Sequence, residues 1–335
     1  MKYLIELSKE HKTLPKAEVL TCLNAEKINF DVLESKDDIL IIELRNKDEQ
    51  IKRLAERLSF TFFINEFLFS CTPENEEIKK NAQKNIIKQK GSIAVKYKNR
   101  SKNIDSKNIV EPLADIYTTN RHVVLENPDI EIRSLITDSK TYIGIKKFEI
   151  NRTIFEKRKV QHRPFFSPIT MHPKLARCLV NLSCIKRNEI LLDPFCGTGG
   201  ILLEAGLIGA KVVGSDIEEK MVKGSRKTLD FYNIKNYDLF NSDIGDIHKN
   251  IKKVDSVVTD LPYGKSTTTK GEEMNKLYQR SFQQISKILK KRGKAVIGLS
   301  RKEMISIGEN YLSLLEIHEF RVHRSLTRFF AVYQK

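Results

Sequence analysis

Hydrophobic and polar positions divide the 335-residue chain into stretches with different grammar. Over the first sixty residues helix-like and strand-like patterns alternate. Val19, Cys22, Leu23 and Ala25 suit one face of a helix, Ile39, Leu40, Ile41 and Ile42 read as a strand, and Ile51, Leu54, Ala55 and Leu58 mark a second amphipathic helix. Further strands are expected at 123–126, 131–136 and 142–145, with Asn127-Pro128-Asp129 as the turn between the first two.

After Pro173, which opens a helix with Leu175, Cys178, Leu179 and Leu182 on one face, strands and helices alternate. Strands are expected at 190–193, 211–216, 254–259 and 294–299. Ile201, Ala205 and Ile208 share one helical face, and Leu277, Phe282, Ile285, Ile288 and Leu289 share another. Runs 315–318 and 328–333 complete the pattern as an antiparallel pair. The prediction is an α/β fold with a mostly parallel, seven-stranded sheet, preceded by α+β structure. Residues 1–60 are expected as a small α+β domain, 61–156 as a second α+β region and 157–173 as a linker stiffened by Pro164 and Pro168. The α/β domain then covers 174–335.

Composition narrows the function classes. A 40% apolar, 30% charged chain without a run of 18 apolar residues suits a soluble protein that does not span a membrane. The opening Met1-Lys2-Tyr3-Leu4-Ile5-Glu6 reaches charge before a signal-peptide core could form, which points to the cytoplasm. The five cysteines have no Cys-x-x-Cys spacing and the seven histidines no ligand pattern, so neither a disulfide scaffold nor a metal site is expected. The net charge of +16 favours a polyanionic partner, with solubilising surface charge as the alternative. Between Lys79 and Lys107 ten basic residues face one acid, Asp105. That imbalance marks a nucleic-acid surface, with Lys79, Lys80, Lys96, Lys98 and Arg100 as candidates.

Candidate chemistry lies in the second half. The strand ending at Asp193 is followed by Pro194-Phe195-Cys196-Gly197-Thr198-Gly199-Gly200, a helix, and a strand ending at Asp216. This is the βαβ grammar of a nucleotide site, in which Asp216 can accept hydrogen bonds from ribose hydroxyls. The loop lacks the spacing and the lysine that grip phosphates, and Asp193 at its head would repel a pyrophosphate. S-adenosylmethionine, with an adenosine, a positively charged methionine end and no phosphate, suits this pattern. Asp243 is placed near the adenine amino group, or else caps a turn. Phe195, Gly197, Thr198, Gly199, Ile217 and Ile244 complete the candidate cofactor residues. Asp260-Leu261-Pro262-Tyr263-Gly264 follows the strand 254–259, where open α/β sheets hold ligands; a plain strand-ending turn is the alternative.

Together these two loops resemble the amino-methyltransferase class of S-adenosylmethionine enzymes. The linker Arg163-Pro164-Phe165-Phe166-Ser167-Pro168-Ile169-Thr170-Met171-His172-Pro173 and the basic front half narrow the resemblance further. They are similar to those of the archaeal tRNA guanine-10 N2-methyltransferases, which carry a THUMP RNA-binding domain before a Rossmann-like catalytic domain. The resemblance implies an enzyme that methylates the exocyclic amine of a tRNA guanine, and a monomer is expected. Asp260 and a backbone carbonyl of Leu261 or Pro262 would hold that amine, and Tyr263 would stack on the flipped base. Leu261 departs from the familiar motif, which has proline there. Cys196 is expected only to pack, and Thr170 and His172 either border the pocket or cap and pack the linker. Methylation of a ribosomal guanine or a DNA base, or RNA binding without catalysis, remain alternatives at this point.

Overall fold

The structure is a computed structural model that describes every residue except 37, 46–47, 168–169, 264–272 and 324–325, with the side chains of 48 and 323 also outside the description. In the first half, the elements are β1 (Lys2–Leu7), α1 (Leu14–Ala25), β2 (Phe30–Lys36), β3 (Ile39–Leu44), α2 (Asp48–Arg57) and β4 (Thr61–Cys71). Then come α3 (Asn75–Lys84), β5 (Ile93–Asn99), α4 (Lys107–Tyr117), β6 (Ile130–Ile136) and β7 (Thr141–Glu149). The second half continues with α5 (Thr153–Lys157), α6 (Pro173–Leu182), β8 (Ile190–Asp193), α7 (Gly200–Leu207), β9 (Lys211–Asp216), α8 (Glu219–Phe231) and β10 (Tyr237–Asn241). It ends with α9 (Ile247–Asn250), β11 (Val254–Asp260), α10 (Met274–Ile288), β12 (Leu289–Leu299), α11 (Ile305–Glu309), β13 (Ser313–His323) and β14 (Leu326–Gln334).

The chain forms two compact units. The first comprises residues 1–10, 28–56 and 61–150, around a seven-stranded sheet of order β2-β3-β1-β4-β7-β6-β5. The strands of residues 1–60 share this sheet with those of 61–150, while the chain passes from the second unit to the first between residues 60 and 61. In β1 Tyr3, Leu4 and Ile5 are all buried, so both faces of the strand are covered, and its two edges pair with β3 and β4. Ile5 lies opposite Leu40 on one side and Ile64 on the other. Apolar residues of α3 and α4, including Ile78, Ala82, Ile109 and Leu113, pack with Ile93, Ile132 and Ile143 of the sheet. The strand expected at 123–126 is reduced to a single bridge between Val123 and Ile93. Its side chains Val123 and Leu125 remain exposed, and left-handed Asn127 turns the chain at once into β6.

The second unit comprises residues 11–27, 57–60 and 151–335. Thus α1, at the front of the sequence, packs with α6 in the second half, where Leu14 and Phe60 join Leu175, Leu179 and Leu182 in one core. Its sheet has the order β10-β9-β8-β11-β12-β14-β13. The pairs from β10 through β12 are parallel, whereas β14 runs antiparallel to both β12 and β13. Because strand order reverses at β8 and β11, their carboxyl ends open a crevice. Among the described residues, no helix is long and apolar enough to cross a membrane.

Candidate active site

The crevice is a cavity of about 400 Å³. Every expected catalytic and cofactor residue borders it except Gly199, which instead ends the loop as the left-handed residue before α7. Both turn glycines have positive φ, 49° at Gly197 and 77° at Gly199. A side chain would strain the backbone at either position. A Cβ at Gly197 would meet nothing within 4 Å, which leaves the backbone open to a ligand.

Asp193 ends β8 and is 1% exposed. Its Oδ1 accepts hydrogen bonds from Phe195 N at 3.2 Å and Thr259 Oγ1 at 2.7 Å, but burial pushes the carboxyl up to about 7. At the end of β9, Asp216 ties the loop to the next strand: Oδ2 accepts from Gly197 N at 2.9 Å and Oδ1 from Glu218 N at 3.0 Å. Burial raises its pKa as well. Two carboxyl groups raised by burial at one cavity are stabilised in their charged form by a cation.

Asp243 borders the cavity while performing the alternative role its sequence allowed. It caps the turn after β10 by accepting from Gly245 N at 2.8 Å, and it pairs with Arg280 through both carboxylate oxygens. Thr170 also borders the cavity, its hydroxyl 3.3 Å from that of Thr198. His172 instead caps α6 by accepting from Lys174 N and lies 3.1 Å from Glu156. Cys196 is a buried thiol, pushed well above its ordinary range by burial, beside the Ser225 hydroxyl. An inert thiol there suits packing.

β11 delivers Asp260 to the cavity with its side chain 21% exposed. Burial lifts its carboxyl to about 6, opposed by Arg328, whose Nη1 lies 3.1 Å from Oδ2. The other oxygen, Oδ1, is buried without a hydrogen-bond partner among the described residues. It occupies the space of a missing side chain, since a Cβ on Gly298 would collide with it. Leu261 donates its backbone NH to Gly298 O at 3.1 Å, a bond that a proline would lack. Pro262 O accepts from Tyr278 at 2.9 Å and keeps a second lone pair. Tyr263 lies under the Arg328 guanidinium, 4.9 Å from the ring centroid. Gly264, Pro168 and Ile169 lie outside the described residues.

Thr259, Tyr278, Gly298 and Arg328, which contact the cavity residues Asp193, Pro262 and Asp260, are not marked by the sequence patterns. Thr259 could have been suspected as the strand residue beside Asp260. Arg328, on an antiparallel strand 68 positions later, carries no local signal.

The candidate RNA residues belong to the first unit. Lys79 and Lys80 lie on α3 beside Glu76 and Glu77, and Lys98 is exposed on β5. Lys96 shares Glu131 with Arg133 and Lys146. Arg100 differs from these: its side chain is 5% exposed and bonds Glu6, Leu7 O and Asp38 O.

Comparisons with known proteins agree with this architecture. Residues 161–329 match the family described as RMKL-like, methyltransferase domain. Residues 30–227 match one described as DNA methylase, a range that stops short of Asp260. TrmN from Thermus thermophilus has the same fold, with a TM-score of 0.58 at 16% identity over 100% of both chains. A tRNA (guanine(10)-N(2))-methyltransferase of Saccharomyces cerevisiae is 24% identical, covering 78% of this chain and 68% of its own. A tRNA (guanine(10)-N2)-dimethyltransferase of Methanothermobacter thermautotrophicus is 35% identical over 100% of both chains. With identity at that level from end to end, and the cavity inside the matched methyltransferase domain, the chain belongs to the tRNA (guanine(10)-N2)-dimethyltransferase family.

Proposed function

We propose that this enzyme transfers methyl groups from S-adenosylmethionine to the N2 amine of a guanine in tRNA, guanine 10 by analogy with its relatives, up to dimethylguanosine. The observation that carries the reading is the mostly buried Asp260 carboxylate, with one oxygen unpartnered among the described residues, at the cavity that the glycine loop also lines. When bound, S-adenosylmethionine supplies an electrophilic methyl on a positively charged sulfur. Asp193 and Asp216 suit its cationic and ribose ends, and the loop offers no phosphate grip for a nucleotide di- or triphosphate.

The chain's own residues meet the difficulty of the amine. A guanine N2 lone pair is delocalised into the ring. Hydrogen bonds accepted by Asp260 and the Pro262 carbonyl favour a localised pair aimed at the methyl carbon. Once methylated, the amine would release a proton, which Asp260 or water would accept. Tyr263 offers its free ring face to a base drawn out of the helix. Basic residues of the first unit, an α+β module read as THUMP-like, hold the tRNA.

Incubation with labelled S-adenosylmethionine and unmodified tRNA, followed by nucleoside analysis, tests the proposal. N2-methylated guanosine is expected. Label on adenosine or cytidine, or none on RNA, would refute it.

A further inference from the structure

We propose that Arg328 is a positioning residue for methyl transfer, holding the acceptor Asp260 and the stacking ring of Tyr263 as one unit; the inference rests on the guanine-N2 reading above. Two contacts define it. The guanidinium meets Asp260 Oδ2 at 3.1 Å and covers one face of Tyr263 at 4.9 Å. A base can therefore stack only on the opposite face.

The clamp has a second jaw. Arg328 comes from β14, and β12 lies between it and β11. On β12, opposite Asp260 in the register, stands Gly298. Its missing side chain leaves the space that Oδ1 fills. A short carboxylate would otherwise turn about its Cβ–Cγ bond. With Oδ2 on a cation and Oδ1 against bare backbone, its plane is fixed. Each carboxylate oxygen carries two lone-pair sites, so Oδ2 can accept from Arg328 and a substrate amine together.

An independent observation points to a ligand here. Asp260 Oδ1, Tyr263 OH and Arg328 Nε are all buried without a hydrogen-bond partner among the described residues. Buried polar atoms are seldom left unmet, and three in one contacting cluster beside a cavity indicate a site completed by substrate. A purely structural arginine would be expected to satisfy its own donors.

The test compares Arg328→Met, which keeps length and loses charge, with Arg328→Lys, which keeps charge and loses the fork. Arg328→Met should lower kcat roughly 10²-fold, the scale of a small misplacement of reacting groups. Its dissociation constant for S-adenosylmethionine and its melting temperature should stay near wild type. Arg328→Lys should recover part of the lost kcat. The acid limb of kcat, at saturating cofactor, should move to higher pH in Arg328→Met, because Asp260 loses its cation while its other ionisable neighbours, Asp193 and Tyr278, are unchanged. Carbon-13 titration of the Asp260 carboxyl, assigned with Asp260→Asn, reads the same displacement without turnover. An unmoved Asp260 titration, or a kcat that falls only in step with cofactor binding and melting temperature and is not restored by lysine, would overturn the proposal. Wild-type methylation of another base would refute the guanine reading and leave the Arg328 comparison intact.

Discussion

Two buried carboxyl groups of the second unit, Glu18 and Asp193, lie under similar physical pressure and answer it differently. Both are pushed up by burial. Glu18 is fully satisfied: Oε1 accepts from Ser59 N at 3.0 Å, Ser59 Oγ at 2.6 Å and Asn181 Nδ2 at 2.8 Å, and Oε2 accepts from Phe60 N at 2.8 Å. Asn181 is held in turn by Arg57, which also bonds Glu26 and Ile185 O. This knot ties α1 and residues 57–60 to α6. At Asp193 both hydrogen bonds fall on Oδ1. A carboxylate that fastens the fold is surrounded by donors from the chain, whereas Asp193, proposed above to face the cofactor, keeps capacity in hand.

The amide substitution sharpens this contrast. The largest effect is expected at Asp260, where Asp260→Asn should lower kcat about 10²- to 10³-fold, the loss typical of a removed transition-state hydrogen bond. Cofactor affinity, measured by calorimetry, should change little. Glu18→Gln places an NH₂ against backbone or side-chain donors and should cost on the order of 2 kcal/mol in urea unfolding, with kcat of the folded enzyme unchanged. Asp193→Asn should have the opposite sign. An asparagine Oδ1 can keep both accepted bonds while the charge disappears, so stability at pH 7.5 should rise and affinity for S-adenosylmethionine should fall. If Glu18→Gln and Asp193→Asn shift stability in the same direction, the distinction between the two acids is wrong.

The pH dependence carries the same comparison at smaller scale. Asp193 has an ordinary value of 3.8 and a folded value of about 7. The folded protein thus holds this proton more tightly than the unfolded chain does. Its contribution to stability is full below pH 4 and is lost as pH rises toward 7. Thermal melts without cofactor should show this decline, and Asp193→Asn should flatten it.

The parallel sheet, both loops and the cavity acids are legible in the sequence because each is written in consecutive residues. Strand, turn and helix periodicities are local. Gly197 and Gly199 occupy positive-φ positions that their motif already implies. What stayed hidden depends on distant pairing. The union of β1 with β4 pairs residues as distant as Tyr3 and Glu66, and α1 docks where Glu18 meets Asn181, 163 positions away. Arg328 is a charged residue in a strand until β14 is placed beside β12. The basic run likewise reveals its charge in sequence, whereas Glu6 and Glu131, which neutralise part of it, lie outside the run.

That last point gives the subtlest test of satisfied against available charge. Lys79 and Lys80 have side chains 43% and 59% exposed and acids only one helical turn away, so both can exchange those partners for phosphate. Arg100, though equal in formal charge, bonds Glu6 and two carbonyls from inside the unit. Charge reversal at Lys79, Lys80 and Lys98 should weaken tRNA binding and flatten the plot of log affinity against log salt, by about 0.7–0.9 for each phosphate no longer neutralised. Arg100→Ala should leave that slope unchanged and lower the unfolding midpoint instead. Filter binding across a salt series reads the slope and a urea titration reads the midpoint. A slope change in Arg100→Ala equal to that of the lysine variants would mean that burial does not decide which cations RNA can reach.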